Sequence, residues 1–152
     1  MIGLLLEEGV QIEVCACYRI LGRICHSRGE SAKAINHFEA ALGIATSFNW
    51  HDHLFWINYS LEDFFFDEDR FGEAHVHIER AESHATNNPY RLGRAVELRA
   101  TFWYEQHMLQ EAKSEALRAT GIYEKLGAAN GVECCRGLLR NIEEAAQASH
   151  AS

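Results

Sequence analysis

Apolar residues recur along this chain at spacings of three and four, and that rhythm is cut by short runs of breakers. The interruptions fall at Gly9, Arg28-Gly29, Phe48-Asn49, Asp67 to Arg70, Asn87-Asn88-Pro89, His107 and Gly127 to Gly131. With one proline and no Ser/Gly linker, the intervening stretches predict helices of roughly 15 to 18 residues. The pattern predicts an all-helical chain made of a short leading piece and six fuller helices.

Helices of such even length call for a search for internal repeats. In the second-helix pattern, Phe71-x-Glu73-Ala74 and Leu109-x-Glu111-Ala112 align with Ser31-x-Lys33-Ala34, and a later alanine recurs at Ala41, Ala81 and Ala119. Ala34, Ala74 and Ala112 are spaced 40 and 38 residues apart. In the first helices Leu21, Leu61 and Arg99 correspond, as do Gly22, Glu62 and Ala100, followed by a larger residue at Cys25, Phe65 or Trp103. The physical content is close packing of two helices: a small residue lets the backbones approach, and a large one fills the notch. Glu62 and Arg99 depart from that rule and predict looser packing in the second and third copies.

The two chain ends also resemble each other. Gly3 to Ile24 laid on Gly121 to Ile142 matches Gly3 with Gly121, Gly9 with Gly127, Val14 with Val132, Cys17 with Cys135, Leu21 with Leu139 and Ile24 with Ile142. The first ten residues therefore read as the tail of a second helix, and residues 132–146 as a first helix with no second one after it. The chain reads as a segment of a longer array.

Leu21-Gly22, Gly29, Ala34, Phe38 and Ala41-Leu42 resemble the tetratricopeptide (TPR) signature, most completely in this first copy. The period exceeds the usual ~34 residues, as in long-repeat branches of that family. The stretch ALGIATSFNWHDHLFWINYSL further resembles the repeat arrays that follow the NTPase domain in fungal STAND-type signalling proteins. The resemblance implies an all-α, right-handed superhelical solenoid of antiparallel helix pairs. Its expected layout is a single domain over residues 1–148: a truncated tail at 1–8, repeats at 10–47, 50–86 and 88–126, a capping half-repeat at 129–148, and a disordered tail at 149–152.

Composition narrows the function. A net charge of -8, with 22 acidic against 14 basic residues, argues against a nucleic-acid ligand. The start MIGLLLEEGV lacks the basic flank and apolar length of a signal peptide or a membrane span, so an intracellular, cytoplasmic protein with no membrane partner is expected. Five cysteines with no C-x-x-C pair predict reduced, mostly packed thiols. Nucleophile elbows, phosphate loops and dinucleotide fingerprints are missing, so no enzyme and no cofactor are expected.

By the family resemblance, the first helices of successive repeats line a groove that binds a peptide or partner helix. The groove residues would be Arg19, Arg23 and His26, then Trp56, Tyr59, Asp63 and Phe66, then Arg94, Glu97, Thr101 and Tyr104. Each set has the spacing of one helical face, and Trp, Tyr and Arg are the residues that dominate binding energies. Trp56 and Phe66 fit packing between repeats equally well. One branch of the family clamps a carboxylate with Lys and Asn; here Ser60 stands in one expected place and Asp63, Glu97 and Glu105 would neutralise the site, so a mixed apolar and charged peptide suits better.

The nine histidines include His51-x-His53 and His75-x-His77, yet residues two apart on a helix point to different sides. Without three or four converging ligands no metal site is expected, and solvated histidines are the expectation. Glu62, Asp63, Asp67, Glu68 and Asp69 read as a solvated acidic helix end. The chain ends suggest a second kind of work: self-association through Leu4, Leu5 and Leu6 at the front and Leu138, Leu139 and Ile142 at the back, giving a homo-oligomer.

Overall fold

The computed structural model describes the backbone of residues 2–151 and the side chains of residues 7–150. The described residues form seven helices and no strand: α1 (Ile2–Ser27), α2 (Ser31–Phe48), α3 (His51–Asp67), α4 (Phe71–Ser83), α5 (Pro89–Glu105), α6 (Leu109–Leu126) and α7 (Ala129–Ala151). They divide into two compact units, Met1–His84 and Ala85–Ser152. In the first, α1 pairs with α2, α3 pairs with α4, and α3 packs on both α1 and α2. In the second, α5 pairs with α6, and α7 packs on α6 and α5.

The breakers do one job in the same way at five turns. Gly29, Asp69 and His107 end the first helices of the three hairpins with positive φ of 75°, 59° and 61°, and Asn49 and Gly127 end α2 and α6 with φ of 56° and 68°. After each, an amide reaches back five residues to a carbonyl: Glu30 to Cys25, Trp50 to Ala45, Arg70 to Phe65, Met108 to Trp103, and Ala128 to Tyr123, at 2.9–3.0 Å. These bonds satisfy carbonyls that the helix end would leave without partners. Only Gly takes the left-handed conformation freely, and the chain tolerates Asp69 and His107 there because the bond fixes it. At the start of α5, Asn88 Oδ1 accepts the Arg91 N–H at 3.0 Å, and Pro89 occupies the first helical position.

Two expectations are corrected. Gly9 does not break the chain: α1 is one 26-residue helix, so the leading piece and the first helix are continuous. The tail expected to be disordered from residue 149 is helical as far as Ala151.

The core of the first unit packs large residues beside the fully buried Ala34, Ala41, Ala45, Ala74 and Ala81. A Cβ on Gly22 would lie 2.7 Å from the Phe38 ring, so α1 and α2 approach at that point only because Gly22 has none. Phe38 in turn meets the edge of Phe64 at 6.2 Å between centroids. Between α3 and α4, His77 stacks flat on Phe65 (5.2 Å, 8°). Its Nδ1–H donates to Asn58 Oδ1 at 2.8 Å, and the Asn58 amide donates to the Leu54 carbonyl at 2.8 Å. His77 is thus a buried, hydrogen-bonded residue and not a solvated one: burial lowers its pKa to about 4, with Arg80 adding to the shift.

The second unit uses alanines and one tyrosine. Ala100, Ala112, Ala116 and Ile142 form one cluster; Val96, Ala119, Tyr123 and Cys135 form another. Tyr123 is fully buried, and Cβ atoms on Gly93 and Gly131 would come within 2.8 and 2.6 Å of its ring. A glycine of α5 and a glycine of α7 therefore clamp one aromatic ring.

Candidate functional site

The first unit places the α1 and α3 candidates next to each other. His26, near the end of α1, bonds through Nε2 to Asp67 Oδ2 at 2.7 Å, with its Nδ1 3.9 Å from Asp63. Its ring meets the edge of Phe64. Asp63 and Asp67 lie one helical turn apart on α3, so both carboxylates face α1. Burial and the charge of Asp67 raise the Asp63 carboxyl above its usual range, while His26 and Arg23 pull it down. Arg19 is half-buried, and desolvation followed by the like charge of Arg23 lowers its pKa. The result is a polar cluster in which an arginine and a histidine of α1 offset two acids of α3.

Along the same face of α3, Trp56 and Tyr59 are half-buried. Trp56 sits edge-on to Phe55 (4.7 Å, 83°) and tilted against Tyr59 (5.7 Å). Their inner edges pack on the core and their outer edges reach solvent. Phe66 packs edge-on against Phe71 at the start of α4, so its ring is committed to the helix turn. Glu62 is buried, 5% exposed, and not part of a solvated helix end. Desolvation, with Asp63 and Asp67 adding to it, raises its carboxyl to about 8.

In the second unit the α5 candidates serve the fold as well. Glu97 accepts a hydrogen bond from the Tyr123 hydroxyl at 2.7 Å, and the Thr101 hydroxyl donates to the Glu97 carbonyl at 3.1 Å. Burial, followed by the hydrogen bond to Glu97, pushes the Tyr123 phenol far up, while Arg94 lowers it. Tyr104 packs against the Ala100 cluster. Glu97 in particular holds the clamped tyrosine from outside, a role that spacing along one helix could not reveal.

Of the residues expected at the chain ends, the side chains of Leu4, Leu5 and Leu6 lie outside the described residues. Ile142 is 3% exposed and belongs to the core of the second unit, with Leu138 and Leu139 packed against it. These three residues seat α7 on α5 and α6. Among the described residues, His26, Asp63 and Asp67 are the group whose ligand atoms all lie within 4.8 Å of one another. Spacing along one helix could not reveal this group, because the partners of His26 sit 37 and 41 residues away. The close histidine pair is His51 and His84, with Nδ1 atoms 3.0 Å apart. Cys15 and Cys135 are buried, Cys25 is half-buried, Cys17 and Cys134 are exposed, and all five are free thiols.

No protein-family model and no curated protein sequence matches the chain. Solved structures do. BtubC (BKLC) from P. vanneervenii superimposes with a TM-score of 0.65 at 15% identity, over 91% of this chain and 65% of that one. The C-terminal TPR-containing domain of a Plasmodium falciparum protein described as FK506-binding gives 0.57 at 16% identity, over 88% of this chain and 93% of that one. At such identities the likeness establishes the fold, an all-α TPR-like solenoid of antiparallel helix pairs. The chain spans 65% of the length of BtubC. No helix among the described residues is long and apolar enough to cross a membrane.

Proposed function

We propose that the protein is a non-catalytic interaction module that holds a peptide or helix of a protein partner against the first-helix faces of its repeats. The observation that carries this reading is the face of α1 and α3 in the first unit. There Arg23 and the exposed Asp63 flank Trp56 and Tyr59, whose rings are half-buried rather than sealed into the core. Rigid aromatic rings with one edge on the core and one in water lose little entropy on binding, and flanking charges set orientation. Both signs of charge on this face favour a peptide carrying apolar and charged side chains over a carboxylate alone. The long repeat period and the texture of residues 41–61 are the ground for reading the module as part of a signalling assembly.

The test is selection of peptides from a display library on the wild-type chain, followed by titration against Trp56→Ala and Arg23→Ala. The expected outcome is at least a tenfold loss of affinity in Trp56→Ala, a smaller and salt-dependent loss in Arg23→Ala, and unchanged helix content in both. Peptides that bind both variants as well as wild type would place the binding face elsewhere.

A further inference from the structure

His26 and the two acids of α3 make a donor set that the internal repeat does not call for. In the register where Leu21, Leu61 and Arg99 correspond, His26, Asp63 and Asp67 fall on Phe66, Thr101 and Glu105. An aromatic ring, a hydroxyl and one carboxylate serve at those positions of the following copies. Packing of repeats therefore does not account for an imidazole faced by two carboxylates.

The three side chains stand on two rigid elements. Asp63 and Asp67 are one turn apart on α3, and His26 lies in the last turn of α1. The His26 ring is seated against the edge of Phe64, 5.5 Å between centroids, and its side chain is 16% exposed. The side chains of Asp63 and Asp67 are 69% and 58% exposed, which leaves their carboxylates room to turn. Both helix ends are pinned: the Glu30 amide bonds back to Cys25, the Arg70 amide to Phe65, and the Ser31 hydroxyl donates to Glu68 at 2.6 Å. One ring nitrogen and one oxygen of each acid all lie within 4.8 Å of one another.

The field at this point favours a cation. α1 ends at Ser27 and α3 at Asp67, so the negative ends of two helix dipoles meet where His26 touches Asp67. Both acids turn to His26, and neither forms an ion pair with a lysine or arginine among the described residues. Arg23 acts on Asp63 from farther off. A single imidazole, even protonated, offsets one of the two negative charges.

We propose that His26, Asp63 and Asp67 bind a divalent first-row transition ion of the Zn²⁺ kind, which braces the end of α1 to the end of α3. The ion replaces the proton that His26 Nε2 donates to Asp67 Oδ2 at 2.7 Å, and that proton goes to solvent. Zinc bonds to nitrogen and carboxylate oxygen set tetrahedral donors about 3.3–3.5 Å apart. The separations in the group bracket that spacing, from 2.7 Å to 4.8 Å at most. Three protein ligands leave the fourth position to water, and the nitrogen among them disfavours Mg²⁺ and Ca²⁺, which take oxygen ligands.

Isothermal titration of ZnCl2 into the full chain, stripped of metal with a chelator and carrying no histidine tag, tests this, with Co²⁺ absorption to identify the donors. The expected result is one Zn²⁺ per chain, a melting temperature that rises with zinc concentration, and a Co²⁺ spectrum without a thiolate charge-transfer band. His26→Ala and Asp67→Asn should each weaken binding at least tenfold. Asp67 lies at the surface, so Asp67→Asn keeps the test intact should His26→Ala unfold. His51→Ala should bind as wild type, although the Nδ1 atoms of His51 and His84 are 3.0 Å apart. Absence of stoichiometric binding at millimolar Zn²⁺ overturns the proposal. A thiolate band from the exposed Cys17 or Cys134, affinity that survives Asp67→Asn, or affinity lost in His51→Ala overturns it as well. His26 and Asp63 also belong to the proposed peptide face, but no peptide enters this measurement, so its outcome is independent of that reading.

Discussion

The hairpin α1–α2 of the first unit and the hairpin α5–α6 of the second fill the same crossing with opposite divisions of volume. In α1–α2 a glycine on the first helix receives a phenylalanine from the second: Gly22 against Phe38. In α5–α6 the corresponding pair is Ala100 and Ala116. The helix α3 goes further, with Glu62 at the glycine position and Ile78 opposite, both buried. As the first helix gains bulk the second gives it up, and the Ala100–Ala116 crossing is left short of volume. The second unit then recovers the missing aromatic volume two turns on, where Tyr123 occupies the place of Ala45 and is clamped by Gly93 and Gly131. Arg99, which stands where a leucine is expected, is accommodated by Glu115 across the helix pair at 3.7 Å.

The sharpest way to break this comparison is at the clamp. Tyr123→Ala should cost the second unit about 3–5 kcal/mol, seen as loss of its helical signal in urea at lower concentration than that of the first unit. Tyr123→Phe, which loses only the bond to Glu97, should cost about 1–2 kcal/mol. A loss in Tyr123→Ala no larger than that in Tyr123→Phe would mean that the ring is not the keystone of the second unit.

A smaller effect is expected where volume is shared between two residues. Gly22→Ala should destabilise the chain by about 1–3 kcal/mol, since the added methyl meets the Phe38 ring. Adding Phe38→Ile, the arrangement of the second copy, should restore part of the loss. Calorimetry of the single and double variants gives the coupling; strict additivity would contradict the shared-volume account.

The smallest predicted effect concerns the buried acid that only the first unit holds. The Glu62 carboxyl is raised to about 8 from 4.5, so its stabilising contribution is complete below pH 4.5 and is lost as pH rises through 8. His77, lowered to about 4 from 6.5, contributes stability present above pH 6.5 and lost as pH falls through 4. Between pH 8 and 6.5 Glu62 acts alone, and the chain should become more stable on acidification; between pH 6.5 and 4.5 the two slopes oppose. Glu62→Gln should flatten the upper limb and raise stability at pH 8 by on the order of 1–2 kcal/mol. Equal urea midpoints for wild type at pH 6.5 and 8 would show that Glu62 is ionised at neutral pH.

Helices and turns were legible in the sequence because their signals are local. A three-and-four rhythm needs only its own helix, and the breakers at Gly29, Asn49, Asp69, His107 and Gly127 each end one through a bond reaching five residues back. Repeat register was legible for the same reason. The partners of side chains were not. His26 with Asp63 and Asp67, His77 with Asn58, and Tyr123 between two glycines join residues 8 to 41 positions apart on different helices, and spacing along one helix carries no information about them. Among the candidate groove residues, Glu97 holds the core tyrosine.

Gly9 and Gly127 separate the two kinds of knowledge most clearly. They occupy the same register of the same internal repeat, and the sequence by itself reads both as stops. Gly127 turns because the Ala128 amide bonds back to Tyr123 and α7 finds a face on α6 to cover. Gly9 stays helical, with open space where its side chain would be. A glycine permits a turn; whether the chain takes it depends on whether the segment beyond has apolar surface to bury, and that is settled only by the tertiary structure.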